Sequence, residues 1–180
     1  MKNILFLLLA VLMSSCIYTN EKVIKKENES SFNAEETKAE INTVLEDWHK
    51  AAADANFEGY FELMTEDGIF IGTDATENWN IKEFQNFSKP HFDKGTAWNF
   101  STLERNIYTT KNGEAAWFDE LLETWMGICR GSGVLVQEDG EWRIKHYVLS
   151  VTIPNDNINE IVKINKEIDS TLTSSLRYKQ

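Results

Sequence analysis

The sequence predicts an α+β fold, in which three N-terminal helices pack on a curved, mostly antiparallel sheet and an extra helix follows at the C-terminus. A change of residue pattern along the chain supports this prediction. Apolar residues recur at helical spacing before residue 97, four long segments rich in aromatic and β-branched residues follow, and helical spacing returns after Pro154. Helices followed by a meander of strands are typical of a sheet that curls over its helices.

Residues 1–16 have the features of a bacterial export signal. Lys2 precedes an apolar run at residues 4–13, and the tripeptide SSC ends at Cys16. This run is about half of the ~20 apolar residues that a helix needs to cross a bilayer, so a permanent transmembrane span is not expected.

The small residues directly before Cys16 resemble the lipobox of bacterial lipoproteins, although Met13 stands where leucine is usual. The resemblance implies that residues 1–15 are a signal peptide and that Cys16 carries acyl chains such as palmitate, which would hold the protein on a membrane of the cell envelope. An outer membrane facing the periplasm is expected where one exists, because Ile17 gives no acidic retention signal. The alternative is an ordinary secretory signal with a coincidental cysteine.

The chain divides into four segments by composition. Residues 16–32 are too polar to bury a core and are expected to form a flexible tether. Residues 33–154 are expected to form the domain, and residues 155–180 a C-terminal helix and tail. With a net charge of −11 and no clustered basic residues, the chain is not expected to bind nucleic acid. If Cys16 carries lipid, Cys129 is left as a free thiol and a small core residue.

The first helices follow from apolar spacing and capping. Asn33 followed by Glu36 has the character of a capping box, and a long helix is predicted over about residues 34–55. Its apolar face carries Ile41, Val44, Leu45, Trp48, Ala52 and Ala55. A short second helix over residues 57–64 and a strand over residues 68–73 are predicted next.

A third helix is predicted to begin after Asn80, because Glu83 completes a second capping pattern. Pro90 should end or kink this helix. After Pro154, a final amphipathic helix is predicted from Ile158, Ile161, Val162, Ile168 and Leu172.

Four long strands are predicted between these helices, at residues 98–109, 114–125, 128–137 and 141–152. Asn112 with Gly113, and Asp139 with Gly140, are the turn pairs expected between antiparallel strands.

Several separated segments resemble the NTF2-like superfamily, particularly its SnoaL-like branch. They are the stretch WHKAAADANFEGYFELMTEDGIFIGTD, Trp79 before the third helix, AWFDE, RGSGVL and DGEWRIKHYVLSVTIPND. The resemblance covers roughly residues 33–156. It implies a cone-like fold with a pocket between sheet and helices, and often a homodimer formed through the outer face of the sheet. It leaves the activity open, because this fold includes isomerases, dehydratases and cyclases as well as association and transport modules.

One face of the last predicted strand is expected to point inward, and it carries Trp142, Ile144, His146 and Val148. His146 would then be either a buried imidazole with one hydrogen bond or a ligand contact that can act as acid or base.

Asp119 and Glu120 are neighbours on one strand, so one carboxylate should point inward and the other to solvent. Alternation of apolar residues does not decide between them. The inward carboxylate needs a partner, for which Arg130 on the neighbouring strand is the candidate. The pair is open to a structural, a catalytic and a ligand-recognising role.

Trp79 and Trp98 are candidates for pocket lining, as an alternative to ordinary core packing. The three histidines lack the spacing of a zinc site, so no metal is expected. No cofactor is expected either.

Three functions remain open. The leading one is a membrane-tethered domain that binds a small, partly apolar molecule. The second is a cofactor-independent lyase, isomerase or cyclase that uses His146 with Glu120 or Asp119. The third is a homodimeric interaction module whose outer sheet face carries Tyr147, Leu149 and Val151.

Overall fold

The computed structural model describes residues 32–95 and 97–178. The predictions for the signal peptide, for Cys16 and for the tether up to residue 31 lie outside the described residues. Within the described part the helices are α1 (Ala34–Ala53), α2 (Phe57–Glu62), α3 (Ile81–Asp93) and α4 (Ile158–Arg177). The strands are β1 (Met64–Ile71), β2 (Asn78–Asn80), β3 (Ser101–Thr109), β4 (Ala115–Thr124), β5 (Gly127–Glu138) and β6 (Glu141–Val151).

Side-chain caps start the helices where the sequence predicts. The side chain of Asn33 accepts a hydrogen bond from the backbone of Glu36 at 3.4 Å, and Asn80 with Glu83 forms a full capping box before α3. Pro90 lies inside α3, which continues to Asp93. A proline this close to the end removes one intrahelical hydrogen bond, and the helix stops within a turn.

The sheet has the order β2-β1-β6-β5-β4-β3. Only the β1–β6 pairing is parallel among the described strands, so the mostly antiparallel sheet is confirmed. β1 begins four residues before the predicted strand, and β2 was not predicted because three residues are too few for an alternating pattern. β2 pairs with β1 and places Trp79 beside Phe70.

Two β-bulges decide which side chains point inward. In β3, Thr102 pairs with Leu122 and Glu104 with Leu121, so Leu103 is an extra residue. In β6, the pairing with β5 skips Lys145 in the same way. Each bulge exchanges the two faces of the strand beyond it.

The core lies between the inner face of the sheet and helices α1 to α3. Its largest fully buried side chains include Trp48, Tyr60, Phe84 and Tyr147. The extra C-terminal helix is confirmed, but α4 has no buried residue. No described helix is both long and apolar enough to cross a membrane.

Candidate functional site

A pocket of about 310 Å³ opens between the sheet and the helices. Its deep end is formed by buried residues, among them Trp48, His49 and Tyr147, whereas its mouth includes Phe87 and the highly exposed Trp125. Trp125 lies in the turn between β4 and β5 and faces the pocket opening. The predicted pocket between sheet and helices is therefore present.

One side of the pocket is a stack of aromatic rings in nearly the same orientation. Trp79 is inclined by 24° to Phe87 and by 13° to Phe84, and Phe84 is inclined by 14° to Phe70 and by 27° to Trp98. Such offset stacks favour a further flat group packing parallel to them. Helix α3 and strands β1 and β2 position these rings except Trp98, which lies in the segment before β3.

Beneath the pocket, Glu120 of β4 accepts hydrogen bonds from three side chains. Its Oε1 is 2.9 Å from His49 Nε2 and 3.1 Å from the Tyr147 hydroxyl. Its Oε2 is 2.9 Å from Nε and 2.8 Å from Nη2 of Arg105. The carboxylate is fully buried and Arg105 is 5% exposed, so this ion pair lies almost outside the reach of water.

Arg105 also ties the sheet to helix α1. Its Nη1 donates to the side-chain oxygen of Asn42 at 2.9 Å, and its Nη2 donates to Thr102 Oγ1 at 3.1 Å. All three guanidinium nitrogens are therefore engaged. A buried charge held on every side in this way fixes the position of its partner carboxylate.

The surroundings of Glu120 keep its carboxyl group ionised. Burial alone would raise the pKa of Glu120, but the hydrogen bond and charge of His49, followed by those of Arg105, outweigh it and hold the pKa below the usual value of 4.5. Burial, and then the charge of Glu120, raise the pKa of Tyr147 well above 10.0, so its hydroxyl remains a donor.

His49 connects this buried network to the pocket. Since Nε2 faces an ionised carboxylate, it carries the ring proton and donates it. Among residues 32–95 and 97–178, no hydrogen-bond partner meets Nδ1. In the neutral imidazole, Nδ1 is thus an acceptor on a residue that lines the pocket.

Gly131 provides the space that this network occupies. A Cβ atom at this position would lie 2.3 Å from the Tyr147 hydroxyl and 2.8 Å from Glu120 Oε1. Gly131 pairs with Glu120 across β4 and β5, so any side chain here would push directly against the network.

The predicted site residues separate into two groups. Trp79 and Trp98 line the pocket, and Glu120 is the inward carboxylate directly behind His49. Asp119 points to the outer face, where it accepts a hydrogen bond from Asn106 at 3.2 Å.

The inward orientation predicted for His146 is wrong. The bulge at Lys145 turns His146 to the outer face and turns Tyr147 inward. The pairing of Glu120 with Arg130 is also wrong. Glu120 lies opposite Gly131, so Arg130 is one residue out of register and exposed on the outer face.

The prediction that Tyr147 and Leu149 lie on the outer sheet face is also wrong. The same bulge turns both side chains inward, where they are buried. The exposed apolar residues of the outer face include Tyr108 and Trp117, whose rings stack at 5.7 Å. Cys129 is a free, fully buried thiol, as predicted.

Two residues of the candidate site, His49 and Arg105, were not predicted from the sequence. His49 follows Trp48 on the apolar face of α1, and a histidine within an apolar stripe was a visible signal. No such signal marked Arg105 in the sequence, because the bulge at Leu103 reverses the face of β3 on which Arg105 lies. Within the described residues, no group of three or more His, Cys, Asp and Glu side chains is arranged to hold a metal ion.

A family model described as a SnoaL-like domain matches residues 41–154. No curated protein sequence matches that of this chain. Among solved structures, an NTF2-like protein of unknown function from Pseudomonas putida KT2440 is 14% identical with a TM-score of 0.56, over 66% of this chain and 89% of that one. The association domain of C. elegans CaMKII is 20% identical with a TM-score of 0.55, over 69% of this chain and 100% of that one.

An NTF2-like protein from Cytophaga hutchinsonii ATCC 33406 is 14% identical with a TM-score of 0.53, over 62% of this chain and 95% of that one. At these identities the likeness concerns the fold alone. The predicted NTF2-like fold is confirmed.

Proposed function

The chain belongs to the SnoaL-like domain family, and on that premise we propose that its pocket binds a small, largely apolar organic molecule. The observation that carries the proposal is a pocket of about 310 Å³ whose walls are mostly aromatic and whose few polar groups gather at the deep end and the mouth. This distribution is typical of ligand sites, in which apolar walls supply affinity and a few polar groups supply orientation.

The experiment compares two aromatic residues with the same exposure. Phe87 lines the pocket mouth and Tyr108 lies on the outer sheet face, and each is 44% exposed. Compounds that raise the melting temperature of the wild-type chain should bind more weakly to Phe87→Ala and equally well to Tyr108→Ala. If no compound of this size stabilises the wild type, or if both variants lose affinity equally, the proposal fails.

A second candidate is a proton-transfer enzyme, such as an isomerase or lyase that needs no cofactor. The observation that favours it is the His49–Glu120 pair. The carboxylate fixes the tautomer of His49, and Nδ1 is left as a base on the pocket wall. In this proposal His49 acts as the acid or base, a role that was predicted for His146.

Its test uses a ligand found in the binding screen and follows turnover by chromatography. His49→Gln should abolish turnover and His146→Gln should leave it unchanged. Turnover that survives in His49→Gln rules the role out, and binding without any turnover in the wild type leaves the first proposal standing alone.

We also propose that the domain forms a homodimer through its outer sheet face. The stacked pair of Tyr108 and Trp117 leaves an exposed apolar patch there. One of the similar structures is an association domain by its description. Light scattering should give twice the chain mass, and Trp117→Lys should give the monomer. A wild-type monomer refutes this proposal.

Attachment to a membrane through Cys16 remains a proposal from the sequence. Cells that express the chain and receive an alkyne analogue of palmitate should label the wild type and not Cys16→Ser, and only the wild type should sediment with membranes. Equal labelling of both would reject Cys16 as the lipid site.

A further inference from the structure

The mouth of the pocket combines one carboxylate with several aromatic rings. We infer that the ligand is an organic cation, with an apolar body inside the pocket and an ammonium group at the mouth, beside Glu77 and these rings. This inference rests on the proposed binding function and narrows it to a chemical class.

Glu77 gives the pocket lining its charge. Of the described residues that line the pocket, Glu77 is the only aspartate, glutamate, lysine or arginine. It is partly buried, and no ion pair joins it to a lysine, arginine or histidine of the described chain. A carboxylate that is partly removed from water without a counter-charge attracts a cation. The net charge of −11 adds to this attraction and opposes the approach of anions.

The backbone holds this carboxylate in place without a ligand. Oε2 of Glu77 accepts a hydrogen bond from the backbone N–H of Asp74 at 3.1 Å, and the Glu77 carbonyl accepts one from the N–H of Gly72 at 3.0 Å. A Cβ atom at Gly72 would collide with the Glu77 side chain, so glycine is needed for this close approach. Oε1 has no hydrogen-bond partner among residues 32–95 and 97–178. The carboxylate is therefore preorganised, with one oxygen left for a ligand.

Aromatic rings lie at the same end of the pocket. Trp79 follows Glu77 by two residues on the extended segment that forms β2, so both side chains leave the backbone on the same side. Trp79 stacks on Phe87 with ring centres 4.4 Å apart, and Phe87 and the exposed Trp125 both line the pocket. The face of an aromatic ring attracts a cation, and cages of such rings recognise quaternary ammonium groups.

The deep end of the pocket does not suit a cation. Both oxygens of Glu120 are occupied by donors, and its carboxylate lies behind His49. The Tyr60 hydroxyl and Trp48 Nε1 are buried and have no hydrogen-bond partner in the described chain. As donors they suit an uncharged acceptor atom in the body of the ligand. The ammonium group is therefore assigned to the mouth.

The test uses three probes that share a phenyl ring and differ in charge. They are benzyltrimethylammonium, neopentylbenzene, in which carbon replaces the nitrogen, and phenylacetate. Each is titrated into the purified full-length chain at pH 8, where free imidazole is neutral, because His49 and His91 also line the pocket. Binding is followed by the fluorescence of the tryptophans in the pocket wall. We expect benzyltrimethylammonium to bind about tenfold more tightly than phenylacetate.

Glu77→Gln is the decisive variant, because its amide oxygen can still accept from Asp74 while the charge is lost. Benzyltrimethylammonium should bind about fivefold more weakly to this variant, and the affinity for neopentylbenzene should stay the same. Phe87→Leu keeps an apolar side chain and removes a ring, so it should weaken the ammonium probe more than neopentylbenzene. Glu66→Gln removes the same charge from an exposed position of β1 outside the pocket and is the matched control, which should bind all probes as the wild type does.

Three outcomes overturn the inference alone and leave the proposed binding function standing. They are an ammonium affinity that is unchanged in Glu77→Gln, an equal loss in Glu77→Gln and Glu66→Gln, and binding of phenylacetate as tight as that of benzyltrimethylammonium. Absence of binding by all three probes to the wild type overturns both proposals. If Glu77→Gln fails to fold by circular dichroism, the comparison of the ammonium probe with neopentylbenzene on Phe87→Leu still decides.

Discussion

Replacing Glu120 by glutamine should destabilise the fold strongly, although the two side chains have the same shape. Glu120 accepts from His49 and Tyr147 at one oxygen and from Arg105 at the other. An amide has only one oxygen, so Arg105, His49 and Tyr147 can no longer all donate to this side chain. Arg105, which is 5% exposed, also loses its counter-charge.

The expected loss follows from these contacts. Removing one partner of a buried ion pair costs about 3–5 kcal/mol. An independent estimate from two buried donors left unsatisfied, at about 1–3 kcal/mol each, covers the same range. We therefore expect the free energy of unfolding to fall by about 4 kcal/mol, out of a typical total of about 5–15 kcal/mol.

Urea denaturation followed by tryptophan fluorescence and far-ultraviolet circular dichroism measures this loss. With a slope of about 2 kcal/mol per molar urea, the midpoint should drop by about 2 M. Asp119→Asn is the matched control, because it makes the same chemical change one residue away on the outer face and should alter stability by less than about 1 kcal/mol. A Glu120→Gln midpoint equal to that of Asp119→Asn would refute the reasoning.

Three further predictions concern the same region. Because the folded-state pKa of Glu120 is below its usual value of 4.5, its stabilising effect is complete above that value and is lost as the pH falls through the folded-state pKa. The stability gap between wild type and Glu120→Gln in urea titrations should therefore be constant above pH 4.5 and narrow as the pH falls below that value, and a gap that stays constant in acid would contradict this. Gly131→Ala should cost about 1–3 kcal/mol, because its Cβ would lie 2.3 Å from the Tyr147 hydroxyl, whereas Ser132→Ala on the other face should have little effect in the same assay. Cys129 is fully buried and should react with a thiol reagent only in denaturant; fast labelling of the native protein would show that β5 opens.

The helices and long strands could be predicted because each repeats its pattern over several turns or residue pairs. The side-chain caps at Asn33 and Asn80 form as expected, and the turns after β3 and β5 contain the predicted glycines. Gly113 and Gly140 both have positive φ, which explains why glycine is favoured at those turns. β2 has only three residues, so its pattern was too short to be recognised.

The site was predicted less well, because two single extra residues control it. Leu103 and Lys145 are bulges, and each reverses the faces of the strand that follows it. Counting by twos from Trp142 therefore places His146 inward, although the structure places Tyr147 there. Alternation cannot reveal a bulge when apolar residues occupy both faces, as they do in β6.

Two glycines in β5 indicate which face of that strand points inward, and the bulges in β3 and β6 do not affect this indication. Gly131 and Gly133 are two residues apart, so they lie on the same face, and a strand face without side chains leaves room for large groups on its neighbours. The residue opposite Gly131 is Glu120, and the residue opposite Gly133 on the other side is Tyr147. Had the inner face been assigned from the glycines, Glu120 would have pointed inward and Arg130, adjacent to Gly131, would have pointed out. The bulges in β3 and β6 bring Arg105 and Tyr147 to this same carboxylate.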